Sequence, residues 1–520
     1  MIVLYWDLAS YQNFFKTHLS QSIKLIKMIN KNQKQLTFKQ LRQAFPIFIY
    51  ENYSWTIKGN DLKISFDFQI PPHIKFKPSV IIQNLNLTKN NRDKNLDEEV
   101  INNLVFHLGL IEMLSYWKST CSPEILIKCG WLNHTEARWW INLYQNGLGQ
   151  FFYENRIDFT RFKNPEKRGK RQKLLKFTFD QYNNYQKKVA PKIPFKHQAF
   201  LIPIGGGKDS LVTLELLKQR KEKITMFALN PSTVVQKIFD LNKNIDAIVA
   251  IRKIDPKLLE LNQKGFLNGH TPISAYLAFL SVLVSYFSQH QFIAFSNERS
   301  ANEGNLKYQG RIINHQYSKS FDFETKFRNY SQKYLINNIE YFSFLRPLYE
   351  IQIARLFSRF PQYFNIFLSC NVASQTNSGT KKPTFRWCCH CPKCLFVFTC
   401  LYPFIDEDQL FNIFGKNLFQ DQSNLPLMKE LLGEKKFKPF ECVGTKEESL
   451  AAFYLSWKKA KNINQSSLPS LLQYFEKKIL PKYSNLETRA KRVLESYSQQ
   501  NYLPRELNSY LKHVYENFEY

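Results

Sequence analysis

The chain is poor in acid, has no uninterrupted apolar run of membrane length and carries no internal repeat, and each shortage removes a class of protein. Only 43 Asp and Glu stand against 72 Lys and Arg, a formal charge of +29. An acidic disordered tail is thereby excluded, and anionic partners (nucleic acid, a nucleotide-linked metabolite or acidic lipid) are favoured by long-range steering. A surface habit spread over many lysines would give the same balance. The longest apolar stretch, Ile273 to Phe287, would span about 22 Å as a helix, short of the roughly 30 Å hydrocarbon core, and reads as a buried helix with no membrane insertion. The opening "MIVLYWDLASYQNFF" has no basic leader, meets Asp7 early and lacks a small-residue cleavage pattern, so no signal peptide is expected. Without a fixed period or a long low-complexity tract, solenoids and long biased segments are excluded.

What is present describes a globular chain. Hydrophobic residues make up 44% and aromatics 15% of 520 residues, enough for two to four domains with sizeable cores. Nine cysteines, five of them between Cys388 and Cys400, point to a reducing compartment, the cytoplasm, and to a local metal or redox role. Three regions separate by pattern. Residues 1–190 read as a mixed α+β domain: "YSWTIKGNDLKISFDFQI" alternates around a Gly-Asn turn as a hairpin, "EEVINNLVFHLGLIEMLSYW" and "EARWWINLYQNGLGQFFYEN" carry helical spacing, and the run Lys163, Lys167, Arg168, Lys170, Arg171, Lys173 reads as a solvated basic linker. Residues 191–402 alternate strands ("AFLIPI", "ITMFAL", "DAIVAI", "QFIAFS", "YFSFLRPL") with helices, which predicts an α/β domain with a parallel sheet covered on both faces. Residues 403–520 are helical in pattern and are expected to cap that sheet.

The stretch "FLIPIGGGKDSLVTLELL" runs a strand through Gly205, Gly206 and Gly207 into Lys208, Asp209, Ser210 and an amphipathic helix. Consecutive glycines let backbone N–H groups approach a ligand, and the helix aims its positive end at the same place, so the segment predicts an anion cradle. The spacing fits neither GxxxxGK[ST] nor GxGxxG. Asp209 inside an anion cradle makes sense if a divalent cation, Mg²⁺, bridges it to phosphate. A tight turn without nucleotide is the plain alternative. "GGGKDS" resembles the SGGxDS loop of PP-loop ATP pyrophosphatases, except that Gly205 stands where the family has Ser. The resemblance implies ATP bound by Gly205 to Ser210, cleavage between the α and β phosphates, and transfer of AMP to a carboxylate or carbonyl oxygen.

Cys388, Cys391 and Cys394 form a C-x2-C-x2-C array, with Cys389 and His390 interleaved and Cys370 upstream. Such spacing lets sulfurs converge on one Zn²⁺; the fourth ligand is expected to be Cys370, with Cys389 second. A redox pair and plain buried thiols are the alternatives. The cluster resembles the zinc loop of the 7-cyano-7-deazaguanine synthases, also PP-loop enzymes.

Polar stretches fall where strand ends should open on a nucleotide: "NGHTPISA" from Asn268, and "SNERSANEGN" from Ser296, which holds Asn297, Glu298, Arg299, Glu303 and Asn305. Together with "FHLGLIEMLSYWKSTCSPEI", "WCCHCPKCLFVF" and "KPFECVGTKEESLAAF", they resemble the UDP-N-acetyl-α-D-muramoyl-L-alanyl-L-glutamate epimerase family, MurL, over roughly residues 40 to 460. The resemblance implies an isomerase of peptidoglycan precursor synthesis. Its nucleotide-sugar peptide substrate would have its terminal L-Glu activated by ATP and Mg²⁺, inverted and released with AMP and pyrophosphate. Proton transfer needs a base and an acid within hydrogen-bond reach. His270, able to titrate near neutrality, and Glu298 are the first candidates, with Glu303 and Cys442 beside them; Arg299 and Arg311 are candidates for a substrate carboxylate or diphosphate, with Asn297 and Asn305 near the crevice. A PP-loop enzyme adenylating a tRNA base or nucleobase precursor is the rival, although no RNA-binding module or stripe of aromatic and basic residues is present. A nucleotide sensor without catalysis is a third reading.

Overall fold

The computed structural model describes residues 36–85, 96–159, 174–180, 190–195, 198–374, 383–435, 437–463 and 467–517. The opening apolar stretch and the basic run Lys163–Lys173 lie outside them. The expected hairpin forms: β1 (Ile47–Lys58) pairs antiparallel with β2 (Asp61–Ile70), with Lys58 opposite Asp61 and Gly59 turning at φ +62°. Burial alternates along β2, so one face of this hairpin meets the core. Next come β3 (Ile74–Phe76), β4 (Ser79–Gln83), β5 (Glu124–Ile127), β6 (Lys176–Phe179), β7 (Ala199–Pro203), β8 (Lys223–Leu229), β9 (Asp246–Lys253) and β10 (Phe292–Phe295). The small hairpin β11 (Leu306–Tyr308) and β12 (Arg311–Ile313) stands apart, and β13 (Glu340–Ser343) ends the series.

One 11-stranded sheet takes the order β13-β10-β7-β8-β9-β4-β2-β1-β5-β6, with β3 on β2. From β13 to β9 every pair is parallel. In these strands β7 lies in the middle, β8 and β9 extend to one side, and β10 and β13 to the other, which makes the gap between β7 and β10 the topological switch point of a doubly wound sheet. All four residues of β10 are buried, as expected where helices cover both faces. The edge that β9 would leave open is covered by β4, antiparallel from Ser79 opposite Lys253 to Gln83 opposite Val249. The sheet therefore passes unbroken between the first and second regions; the division near residue 190 falls between β6 and β7.

Helices supply the layers. Glu98–Glu112 starts on Asp97, whose carboxylate accepts from Glu99 N at 2.9 Å, and packs on the buried helix Ile273–Ser288. On that second helix Phe279 stacks on Trp140 at 5.0 Å and meets Phe327 edge-on at 4.9 Å. The other side of the parallel strands shares an apolar core with the helices Glu350–Phe357, Pro392–Leu401 and Lys446–Ile463, and the last of these packs on the first two. Among the described residues no helix is long and apolar enough to cross a membrane.

Because Phe279 is wedged between aromatic rings from two other helices, Phe279→Ala should cost about 3–5 kcal/mol. The shift of a guanidinium unfolding midpoint at unchanged slope measures it.

Candidate functional site

The glycine loop leaves β7 at the switch point. Gly206 turns at φ +89°, and a Cβ there would sit 3.2 Å from Val234 Cγ1; a Cβ on Gly207 would sit 3.2 Å from Ser369 Cβ. The loop is thus pressed against residues 368–369, and Leu368 N donates to Gly206 O at 2.9 Å. At Gly205 an added Cβ would meet nothing within 4 Å, so the loop is open on that side. Gly207 caps the helix Lys208–Gln219 with no side-chain hydrogen bond, which leaves the first N–H groups to a ligand. They face a crevice of about 390 Å³ lined by Gly205, Gly207, Asp209, Ser210, Asn297, Lys319, Ser369, Cys370, Lys393 and Cys442. Ser369 Oγ is buried there without a protein partner, as a group awaiting a ligand would be.

Under the loop lies a chain of buried charges. Glu350 accepts from Lys208 through Oε2 and from Lys393 Nζ through Oε1 at 3.1 Å, and Lys208 also pairs with Asp209. Burial would raise the Glu350 carboxyl, but the two ammonium groups outweigh it and hold it down at about 2. Burial would likewise depress Lys208, and Asp209 and Glu350 instead raise it above the usual lysine range. Glu298 is different: burial pushes its carboxyl up, and Glu350 and Asp209 add to the rise. Single carboxylate oxygens of Asp209, Glu298 and Glu350 lie within 4.8 Å of one another. With Glu350 committed to two lysines, Asp209 and Glu298 are the oxygens that fit a divalent cation beside phosphate, and a cation would remove the repulsion that Glu298 suffers.

Four thiols converge beyond the crevice. The sulfurs of Cys370, Cys388, Cys391 and Cys394 all lie within 4.8 Å of one another, with Cys388–Cys394 at 3.6 Å, Cys391–Cys394 at 3.5 Å and Cys370–Cys391 at 4.0 Å. Tetrahedral zinc with its usual bond length separates sulfurs by about 3.8 Å, so the donor set fits that ion. Cys389 turns away at φ +62° and points its sulfur at Phe414 O, 3.1 Å distant.

The remaining expected residues divide. Asn297 lines the crevice and donates to Ser343 Oγ at 3.1 Å. After Glu298 the chain makes the tight turn Arg299–Asn302 and leaves the crevice. Arg299 therefore stacks 4.3 Å over Tyr349 and lines a separate cleft with Arg489 and Arg492. Glu303 pairs with Lys438 at 3.5 Å and accepts from Lys446 N, Asn305 is held by Pro439 O and His315 N, and Arg311 lies over Phe159. These four brace neighbouring segments instead of facing the glycine loop. His270 sits 4.6 Å from the His315 ring, and burial, with His315 and Lys118 nearby, lowers it to about 3, so it is neutral at pH 7 and does not titrate near neutrality. Cys442 does face the crevice, with Lys319 Nζ at 3.5 Å and His315 Nε2 at 3.8 Å. Glu350, Lys393, Lys319, His315 and Ser369 carried no spacing signal in the sequence.

A doubly wound sheet with a glycine-rich anion cradle and an acidic pair at its switch point defines an α/β protein with a ligand crevice at the strand ends. Residues 39–344 match the model of the MurL N-terminal domain and residues 366–484 that of the MurL C-terminal domain. A UDP-N-acetyl-alpha-D-muramoyl-L-alanyl-L-glutamate epimerase of Salinispora tropica is 34% identical over 350 residues, 67% of this chain and 72% of the relative. One of the same name from a Micromonospora species is 33% identical over 348 residues (67% and 73%), and one from Xanthomonas oryzae pv. oryzae 34% over 345 (66% and 72%). The chain belongs to the MurL epimerase family.

Removing the charge that balances two buried lysines should be costly. Glu350→Gln should destabilise the protein by about 3–5 kcal/mol in thermal or denaturant unfolding. Since the folded carboxyl is held below its ordinary 4.5, its contribution is complete above that value and disappears as pH falls through about 2. The gap between wild type and variant should therefore close on acidification.

Proposed function

We propose that the chain inverts the terminal L-Glu of UDP-MurNAc-L-Ala-L-Glu to D-Glu, spending one ATP to AMP and pyrophosphate, in cytoplasmic synthesis of peptidoglycan precursors. The observation that carries this reading is the family match on both sides of the crevice, 39–344 and 366–484, which brings the glycine loop and Cys442 to one cavity. A free α-carboxylate opposes loss of the neighbouring proton, because a second negative charge would develop beside the first. Its mixed anhydride with AMP behaves as an activated ester, so adenylation loosens the Cα–H bond. The carboxylate oxygen attacks the α-phosphorus and pyrophosphate leaves; after inversion, water attacks the acyl carbon and AMP leaves.

The chain's own groups suit these steps. The N–H groups at the start of Lys208–Gln219 receive phosphate oxygens. Asp209 and Glu298 would hold Mg²⁺, which supplies charge neutralisation on the phosphates when bound. Lys393 and Lys319, on the crevice wall, add positive charge near the triphosphate. The four-thiol cluster would hold a structural Zn²⁺ and thereby fix Cys370 and the start of helix Pro392–Leu401 against the crevice.

Purified protein given ATP, Mg²⁺ and UDP-MurNAc-L-Ala-L-Glu should yield D-Glu on chiral analysis of the hydrolysate, with AMP formed. AMP formed only on a nucleobase or tRNA substrate, without D-Glu, would contradict the reading. Asp209→Ala should remove AMP release while unfolding as a cooperative protein; full activity in that variant would contradict the metal bridge. Freshly purified protein should contain one zinc per chain, and Cys394→Ser should lose it.

A further inference from the structure

Two residues that line the crevice, Cys442 and Lys319, are joined to an ordered set of proton-handling groups behind them. Gln150 Nε2 donates to Glu154 Oε1 at 2.6 Å, which turns the amide so that its oxygen faces His315. Gln150 Oε1 lies 2.5 Å from His315 Nδ1. An amide oxygen only accepts, so Nδ1 carries the imidazole proton and Nε2 keeps a free lone pair. That lone pair faces Cys442 Sγ at 3.8 Å, and Lys319 Nζ lies 3.5 Å from the same sulfur. Burial lowers His315 to about 4, consistent with a neutral ring at rest. Lys319 Nζ, which also lines the crevice, is thus the cation beside that sulfur. Glu441, next to Cys442 in the chain, is held by Asn371 Nδ2, and Lys393 and Asp209 are the other charged residues that line the crevice.

We propose that Gln150, His315, Cys442 and Lys319 form a thiol-activating relay, in which Cys442 is the catalytic residue that takes the α-proton of the activated glutamyl group. This rests on the epimerase reading above. His315 Nε2 accepts the Sγ proton and passes it to solvent, and the thiolate is paired by Lys319. The thiolate then takes the proton as Cα–H breaks and Sγ–H forms, with the electron pair delocalised onto the acyl oxygen. The carbanion receives a proton from water on its opposite face, and the hydroxide left is neutralised by the proton that Cys442 returns through His315. Each turnover thus leaves one solvent hydrogen at Cα. Lys319, His315 and Gln150 are positioning residues: they set the protonation and placement of the sulfur.

Two readouts separate this proposal from the function it builds on. In D₂O, wild-type D-Glu should carry deuterium at Cα, while Cys442→Ser should keep substrate-dependent ATP–pyrophosphate exchange and lose deuterium uptake at least 100-fold. Uptake at the wild-type rate in Cys442→Ser, or an acyl thioester on Cys442 in the mass spectrum, would overturn the proposal. The second readout needs no turnover: the rate of Cys442 alkylation by iodoacetamide at pH 7, followed by peptide mass mapping. It should fall about tenfold in Lys319→Met and in His315→Ala and recover in Lys319→Arg. Unchanged rates in Lys319→Met and His315→Ala would overturn the relay even if D-Glu forms, whereas absence of D-Glu with these rates as expected would overturn the epimerase reading and the α-proton step that rests on it, and leave the thiol activation standing.

Discussion

The buried chain Lys208–Glu350–Lys393 is the interaction on which the rest of the site depends. Each of these charges loses several kcal/mol of hydration on burial, and only tight pairing returns it. Both oxygens of Glu350 are used, one for each lysine. The three residues belong to three helices, Lys208–Gln219, Glu350–Phe357 and Pro392–Leu401. A slip of any helix would strand a charge in the core, so the pairing fixes their register as well as their contact. The glycine loop and Asp209 belong to the start of the first of these helices, and Cys391 and Cys394 to the start of the third, while Glu298 and Cys370 reach the site from the chain after β10 and before the short helix Asn371–Ser374.

That anchoring explains how one crevice can hold two different chemistries. Toward the sheet lie free backbone N–H groups and Asp209, suited to phosphate and its cation. Cys442 and Lys319 line the same crevice, 3.5 Å apart, and suit the proposed proton transfer. The proposed activation and inversion need both within the length of one substrate residue, and both sets line one crevice of about 390 Å³. The wall that holds Cys442 is assembled from distant segments: Glu303 reaches Lys438, Asn305 reaches Pro439 O, and His315 N reaches Asn305 Oδ1. Residues that resembled ligands in the sequence are therefore the braces that seat the thiol.

Much of the parallel half was legible because its signals are local. Apolar strand runs, the glycine loop and C-x2-C spacing each occupy a few consecutive residues, and the hairpin β1–β2 and the buried helix formed where periodicity placed them. The pairing of β4 with β9 was not legible, since backbone hydrogen bonds between segments about 170 residues apart leave no periodic trace. Glu350 stands 142 residues from Lys208, in a helix of ordinary composition, and no spacing rule links them. His270 shows a subtler limit: an imidazole in a polar loop looks titratable, but its ionisation depends first on burial and then on the neighbouring His315 and Lys118, which only the fold supplies. Cys442 was a proton-transfer candidate in the sequence, but its neighbours His315 and Lys319, 127 and 123 residues away, were not legible.

The central claim is that the terminal carboxylate itself is joined to AMP before the proton moves, and oxygen transfer tests it most directly. With ¹⁸O in the α-carboxylate of the terminal L-Glu, one labelled oxygen should appear in the AMP phosphate for each D-Glu formed, because water attacks the acyl carbon and the bridging oxygen departs with phosphorus. Unlabelled AMP beside D-Glu that has kept both of its labelled oxygens would contradict the account.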